Sequence, residues 1–161
     1  MEFDSLGKIM KLHRVIFTGS LLERGFWLYV WRVKSVNADF VYVGRTGDSS
    51  SKYAASPFSR LSRHLDISEN ASANMLLRHI KRRGLDPISC SFEIIALGPL
   101  YKEQYSLEEH RKIRDIVAPL ENVLAHYLHK KGYEVVGSHP SGGEVDKILF
   151  AEIQGLIDKV R

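Results

Sequence analysis

Two rhythms of apolar residues run along the chain. Trp27-Leu28-Tyr29-Val30-Trp31-Arg32-Val33 and Phe40-Val41-Tyr42-Val43 are aromatic and β-branched, side-chain shapes that pack well on a pleated surface, so both predict strands. The polar Asn37-Ala38-Asp39 between them predicts a hairpin with a loop longer than the two-residue minimum. Gly44 closes the second strand, and Arg45–Ala55 is a Ser- and Gly-containing loop. Ser89–Leu97 (SCSFEIIAL) reads as a third strand.

Elsewhere the signals are helical. Ser56 can cap free N–H groups and Pro57 suits a first helical position, which predicts a helix to about Leu65. A second helix is expected from about Ser72 to Arg83, stopped by Gly84 and Pro87. Ser106 and Glu109 form a capping box opening a helix towards Val117. Pro119 then breaks, kinks or restarts it, and Leu120–Lys131 continues helically to Gly132. A last helix spans Glu144–Val160. Short strands followed by helices predict an α+β class, a small antiparallel sheet covered by helices. Without repeats or an obvious linker, the chain divides into an extension (1–24), a main domain (25–143) and a C-terminal helix (144–161) packed on it.

Composition narrows the function. The 161 residues suit one domain with a real core, and 44% apolar with 26% charged residues excludes wholesale disorder. No apolar run approaches the ~18 residues of a membrane span, and the N-terminus has no continuous apolar stretch of the secretory kind. The single cysteine, Cys90, excludes an internal disulfide and a cysteine-rich zinc site, so an intracellular, cytoplasmic protein is expected. The net charge of +4 is uneven: residues 1–83 carry 14 Lys+Arg against 7 Asp+Glu, residues 84–161 carry 9 against 12. A basic half beside a mildly acidic one, with clusters at Arg60, Arg63 and His64 and at Arg78, Lys81, Arg82 and Arg83, points to a polyanionic partner on one side.

Candidate chemistry sits on these elements in a definite order. Tyr29 lies on the first strand and Tyr42 on the second, two residues before a glycine that suggests close backbone approach. Arg60 and His64, at i and i+4, share one helix face beside the apolar Phe58, Leu61 and Leu65. Glu121, three residues before Leu124, lies near the buried side of its helix, where a carboxylate needs an arginine, a hydrogen-bond network or a metal. His126 and His129 have i, i+3 spacing but no evident third zinc ligand.

Trp27-Leu28-Tyr29, Tyr42-Val43-Gly44-Arg45-Thr46, Arg60-x-x-x-His64 and a late helical Glu, taken in that order, resemble the GIY-YIG nuclease superfamily over residues 25–143. The resemblance implies a three-stranded antiparallel sheet flanked by helices and hydrolysis of DNA phosphodiesters with Mg²⁺ or Mn²⁺. It implies that Tyr29 and Tyr42 are the two motif tyrosines, one of which orients or deprotonates the attacking water, that Arg60 holds the scissile phosphate, and that Glu121 binds the metal. Imidazole suits proton transfer at neutral pH better than a free phenol, so His64 is the expected proton acceptor. Arg45, Lys52 and Arg63 are candidates for neighbouring phosphates, with Arg78, Lys81 and Arg82 extending the track on double-stranded DNA.

Two departures stand out. Trp27 occupies the place of the family's first glycine, and Glu134–His139 has no Asn where the family carries one after its Glu, leaving Ser138 or His139 in that position. A second register pairs Glu109 with Asn122 instead. The alternatives to a nuclease are a catalytically impaired nucleic-acid-binding module on the same scaffold and a partner-binding domain using the C-terminal helix. Cutting both strands would require a homodimer or sequential nicks.

Overall fold

The computed structural model describes residues 10–160. After the exposed residues 10–17 and a 3-10 turn at Gly19–Leu22, strands β1 (Gly25–Lys34) and β2 (Asp39–Arg45) form the expected hairpin. Helices α1 (Pro57–His64) and α2 (Met75–Arg82) follow, then β3 (Ser91–Lys102), the long α3 (Leu107–Lys130), a two-residue β4 (Val135–Val136) and α4 (Lys147–Ile157). The class is α+β.

The sheet corrects one expectation. It has four strands in the order β3-β1-β2-β4, not three. β3, β1 and β2 are antiparallel neighbours, and β4 adds to β2 in parallel, with Val41 opposite Val135 and Tyr42 opposite Val136. Two residues are too few to show an alternation, so β4 has no signature of its own. It matters because it brings Gly137–His139 alongside Tyr42.

β1 is the central strand and is buried on both faces, which explains its nearly unbroken apolar run. Alternation sends Phe26, Leu28 and Val30 towards a core with Val117, Leu120, Leu124 and Leu128 of α3 and Ile153 and Ile157 of α4. Tyr29, Trp31 and Val33 face a second core with Leu76 and Ile80 of α2, flanked by Leu61 and Leu65.

Helix ends differ from expectation for local reasons. Ser56 accepts from the Ser59 amide at 3.2 Å, capping α1 as its sequence implies. α2 starts at Met75, not Ser72, because the backbone turns at Ala73 (φ +58°). α3 is one continuous helix through Pro119. The proline forfeits one intrahelical bond, but Val117 and Leu120 on its two sides enter the same core, and that shared packing carries the helix through. α4 begins at Lys147, since Asp146 accepts from the Ile148 and Leu149 amides at 3.1 and 3.0 Å. α4 is tied to α3 by the Tyr127 hydroxyl and Lys131, which both donate to Asp158. Among the described residues no helix is long and apolar enough to cross a membrane.

Leu120 is fully buried where α3 meets the sheet. Leu120→Ala is expected to cost about 2–5 kcal/mol, read in urea unfolding as a lower midpoint at unchanged slope.

Candidate active site

The site lies at the end of the β1–β2 hairpin, on the face covered by α1. Tyr29 is opposite Gly44 in the β1–β2 register. A Cβ at Gly44 would stand 2.5 Å from the Tyr29 hydroxyl, so the glycine is what lets the phenol lie across β2. Thr46 secures the strand end: its hydroxyl donates to the Gly25 carbonyl at 2.5 Å and accepts from the Trp27 amide at 2.8 Å. The Tyr42-Val43-Gly44-Arg45-Thr46 segment thus places one phenol and one guanidinium, makes room for a second phenol, and anchors the corner.

α1 supplies the next two groups. Its i, i+4 spacing puts Arg60 at the rim and His64 beneath, 3% exposed. The Tyr29 hydroxyl and His64 Nε2 are 2.8 Å apart, and His64 Nδ1 is buried without a partner. The Tyr42 ring lies 5.4 Å from the His64 ring and 5.7 Å from that of His79. α3 contributes Glu121, whose Oε2 accepts from Arg45. Its Oε1 faces His139 Nε2 at 4.0 Å. His139 Nε2 also lies 2.9 Å from the Val43 carbonyl, and Asn122 donates to the His139 backbone carbonyl, pinning this loop to the site.

Tyr29, Tyr42, Arg45, Asp48, Arg60, His64 and Glu121 line one cavity of about 150 Å³. Arg60 donates to the Asp48 carboxylate and, at 3.3 Å, to the Arg45 carbonyl. Burial decides the protonation states. It pushes the Tyr29 phenol far above its ordinary range and raises Tyr42 to about 12, with the Glu121 charge adding to the latter. It lowers His64 to about 4, helped by the Arg60 charge. Both phenols are therefore protonated and the imidazole is neutral at pH 7.

Four elements, β1, β2, α1 and α3, bring together the five residues expected to do chemistry: Tyr29, Tyr42, Arg60, His64 and Glu121. Arg45 joins them, paired with Glu121 rather than standing free for a flanking phosphate. The others are elsewhere. Lys52 is exposed with its ammonium 5.6 Å from the Tyr53 ring, and Arg78, Lys81 and Arg82 are exposed along α2. Arg63 lines a neighbouring cavity. Glu109 is in the first turn of α3, twelve residues or about 18 Å of helix from Glu121, so Glu121 is the carboxylate at the cavity. Trp27 is buried, its indole N–H on the Glu23 carbonyl, and does not line the cavity. His126 and His129 border a different, open cavity with His139.

Asp48 went unrecognised. An aspartate after Thr46-Gly47 reads as an ordinary turn residue, and nothing in its spacing announces a partner on α1. His139 was foreseen only as one of two candidates for the Asn position, and it is the one that reaches Glu121.

The donor set discriminates among metals. Among the described residues no three His, Cys, Asp or Glu side chains gather as a cage, which does not fit structural zinc. The cavity offers Glu121, with Oε1 free of any close donor, and Asp48 nearby. That fits Mg²⁺, which takes one or two carboxylates and completes its shell with water and substrate oxygens. Comparison of the chain with protein-family models, with curated proteins and with solved structures gave no match in any of the three.

His64 gives the fold a pH dependence of known sign. It is neutral in the folded chain down to about pH 4, whereas an unfolded histidine takes up a proton near 6.5. The unfolded state binds more protons in this window, so stability is full above about pH 6.5 and falls towards pH 4, by up to about 3 kcal/mol. In urea unfolding at successive pH values, His64→Gln should show that much less acid loss than the wild type.

Proposed function

We propose that the chain is a divalent-metal-dependent DNA endonuclease of the GIY-YIG type. The observation that carries this reading is the convergence of Tyr29, Tyr42, Arg60, His64 and Glu121, from elements far apart in sequence, on one small cavity. Phosphodiester hydrolysis needs an oriented water, donors for the phosphoryl oxygens, relief of charge on the departing oxygen and an acceptor for one proton; these residues match that set.

Arg60 offers a planar fork to two non-bridging oxygens, a geometry lysine cannot reproduce. The phenols are held protonated by burial, so they orient the water rather than deprotonate it unaided. Tyr29 is placed to relay: as the water oxygen attacks phosphorus, its proton passes to the phenol oxygen while the phenol proton passes to His64 Nε2, 2.8 Å away. The bond to the leaving oxygen breaks with its electron pair. The Arg60 charge opposes protonation of His64 while the Asp48 carboxylate on Arg60 favours it, and an anionic phosphate on Arg60 acts in the same sense as Asp48. Glu121 would hold Mg²⁺, which when bound would supply charge neutralisation at the leaving oxygen. Arg45 holds the Glu121 carboxylate at the cavity wall.

A non-cleaving nucleic-acid-binding module is the second reading. It is favoured by the Arg45–Glu121 pair, which engages the carboxylate the metal would need. Cleavage decides between them. Supercoiled plasmid incubated with the chain should be nicked with Mg²⁺ or Mn²⁺ and left intact in EDTA. Glu121→Gln should lower the rate about 10²-fold or more, while Tyr29→Phe and His64→Ala each slow it under saturating Mg²⁺. No nicking by the wild type would remove the nuclease reading, and wild-type rates in both Tyr29→Phe and His64→Ala would remove the relay.

A further inference from the structure

A second cavity, of about 260 Å³, adjoins the first, and Asp48 and Arg60 belong to the walls of both. Its walls also carry Ser49, Tyr53, Ser59 and Arg63. Arg60 and Arg63 are three residues apart on α1 and so leave neighbouring points of one helix surface, about 5–6 Å apart at Cβ. Two arginines rising from neighbouring points of one helix suit neighbouring phosphates of one DNA strand.

The two arginines differ in occupancy. Arg63 is exposed and pairs with no carboxylate among the described residues. The Arg60 side chain is 14% exposed and bound to Asp48, which is 44% exposed on the loop after β2. A carboxylate presents a guanidinium with two oxygens and a negative charge, as the non-bridging oxygens of a phosphodiester do.

We propose that the second cavity seats the phosphate next to the scissile one on the cut strand, with Arg63 as its ligand, and that Asp48 stands in for the scissile phosphate on Arg60 until the strand displaces it. This rests on the nuclease reading and assigns the site its second phosphate contact and the group that guards the first. Asp48 is here a positioning residue: it keeps the largely buried guanidinium paired and aimed while the site is empty, and its exposure leaves it free to swing out.

The test is equilibrium binding of a fluorescein-labelled DNA duplex in EDTA over a range of salt concentrations, so that cleavage does not enter. Arg63→Gln should weaken binding several-fold and lower the slope of log K against log salt by about one. Asp48→Asn should tighten binding several-fold in the wild-type background and have no effect in Arg60→Gln, where no guanidinium remains for Asp48 to occupy. Arg60→Lys provides a second background should Arg60→Gln fold poorly. A wild-type slope in Arg63→Gln overturns the flanking-phosphate site. An Asp48→Asn gain that persists in the Arg60 variants, or no gain at all, overturns the stand-in role. A wild-type chain that binds and nicks DNA while these variants bind like it removes this inference alone; a wild-type chain without salt-dependent DNA binding removes the nuclease reading with it.

Discussion

The hydrogen bond between the Tyr29 hydroxyl and His64 is the contact on which the rest of the site depends. It joins the central strand to α1 in a buried setting, where an unmade hydrogen bond costs far more than it would in water. Making it requires the phenol to cross β2, and only the missing side chain at Gly44 allows that. It also requires α1 to dock with its last turn inward, which the Ser56 cap and the apolar Leu61 and Leu65 arrange. Once α1 is docked, its i, i+4 geometry leaves Arg60 no choice but the cavity rim. The position of the guanidinium follows from the position of the imidazole.

The charges form a second interlocking layer. Arg45 with Glu121 and Arg60 with Asp48 make two ion pairs around one cavity. In a site this sheltered each arginine and each carboxylate would be costly alone, and the pairing keeps all four there. The same pairs are electrostatically poised for exchange, since a phosphate can replace a carboxylate on arginine and a cation can replace arginine on a carboxylate. Burial acts on the neutral groups in the opposite sense, holding both phenols protonated and the imidazole unprotonated.

Much of this was legible in the sequence, where physics is local. The β1 and β2 runs, the Ser56 and Ser106 caps and the Arg60/His64 pair are all properties of short windows, and each element formed close to its expected place. The α+β class followed from their order. What was hidden depends on contacts distant in sequence. Two residues of β4 pair only because β2 has a free edge. Pro119 reads by local rules as a break, kink or restart, yet the core on both sides of it carries one helix through. Asp48 looked like turn chemistry because its partner is on another element, and the tie between Arg45 and Glu121 spans 76 residues. Glu109 and Glu121 were distinguishable only once the helix length placed one of them far from the cavity.

The most direct measurement is the titration of the His64 imidazole by long-range ¹H–¹⁵N NMR from pH 4 to 8. A neutral ring throughout most of that range, ionising only near the acid end and shifting when Tyr29 is replaced by Phe, is the expected result. A ring that ionises near 6.5, insensitive to Tyr29, would mean that the buried contact does not hold and that the convergence built on it is not the working arrangement of the site.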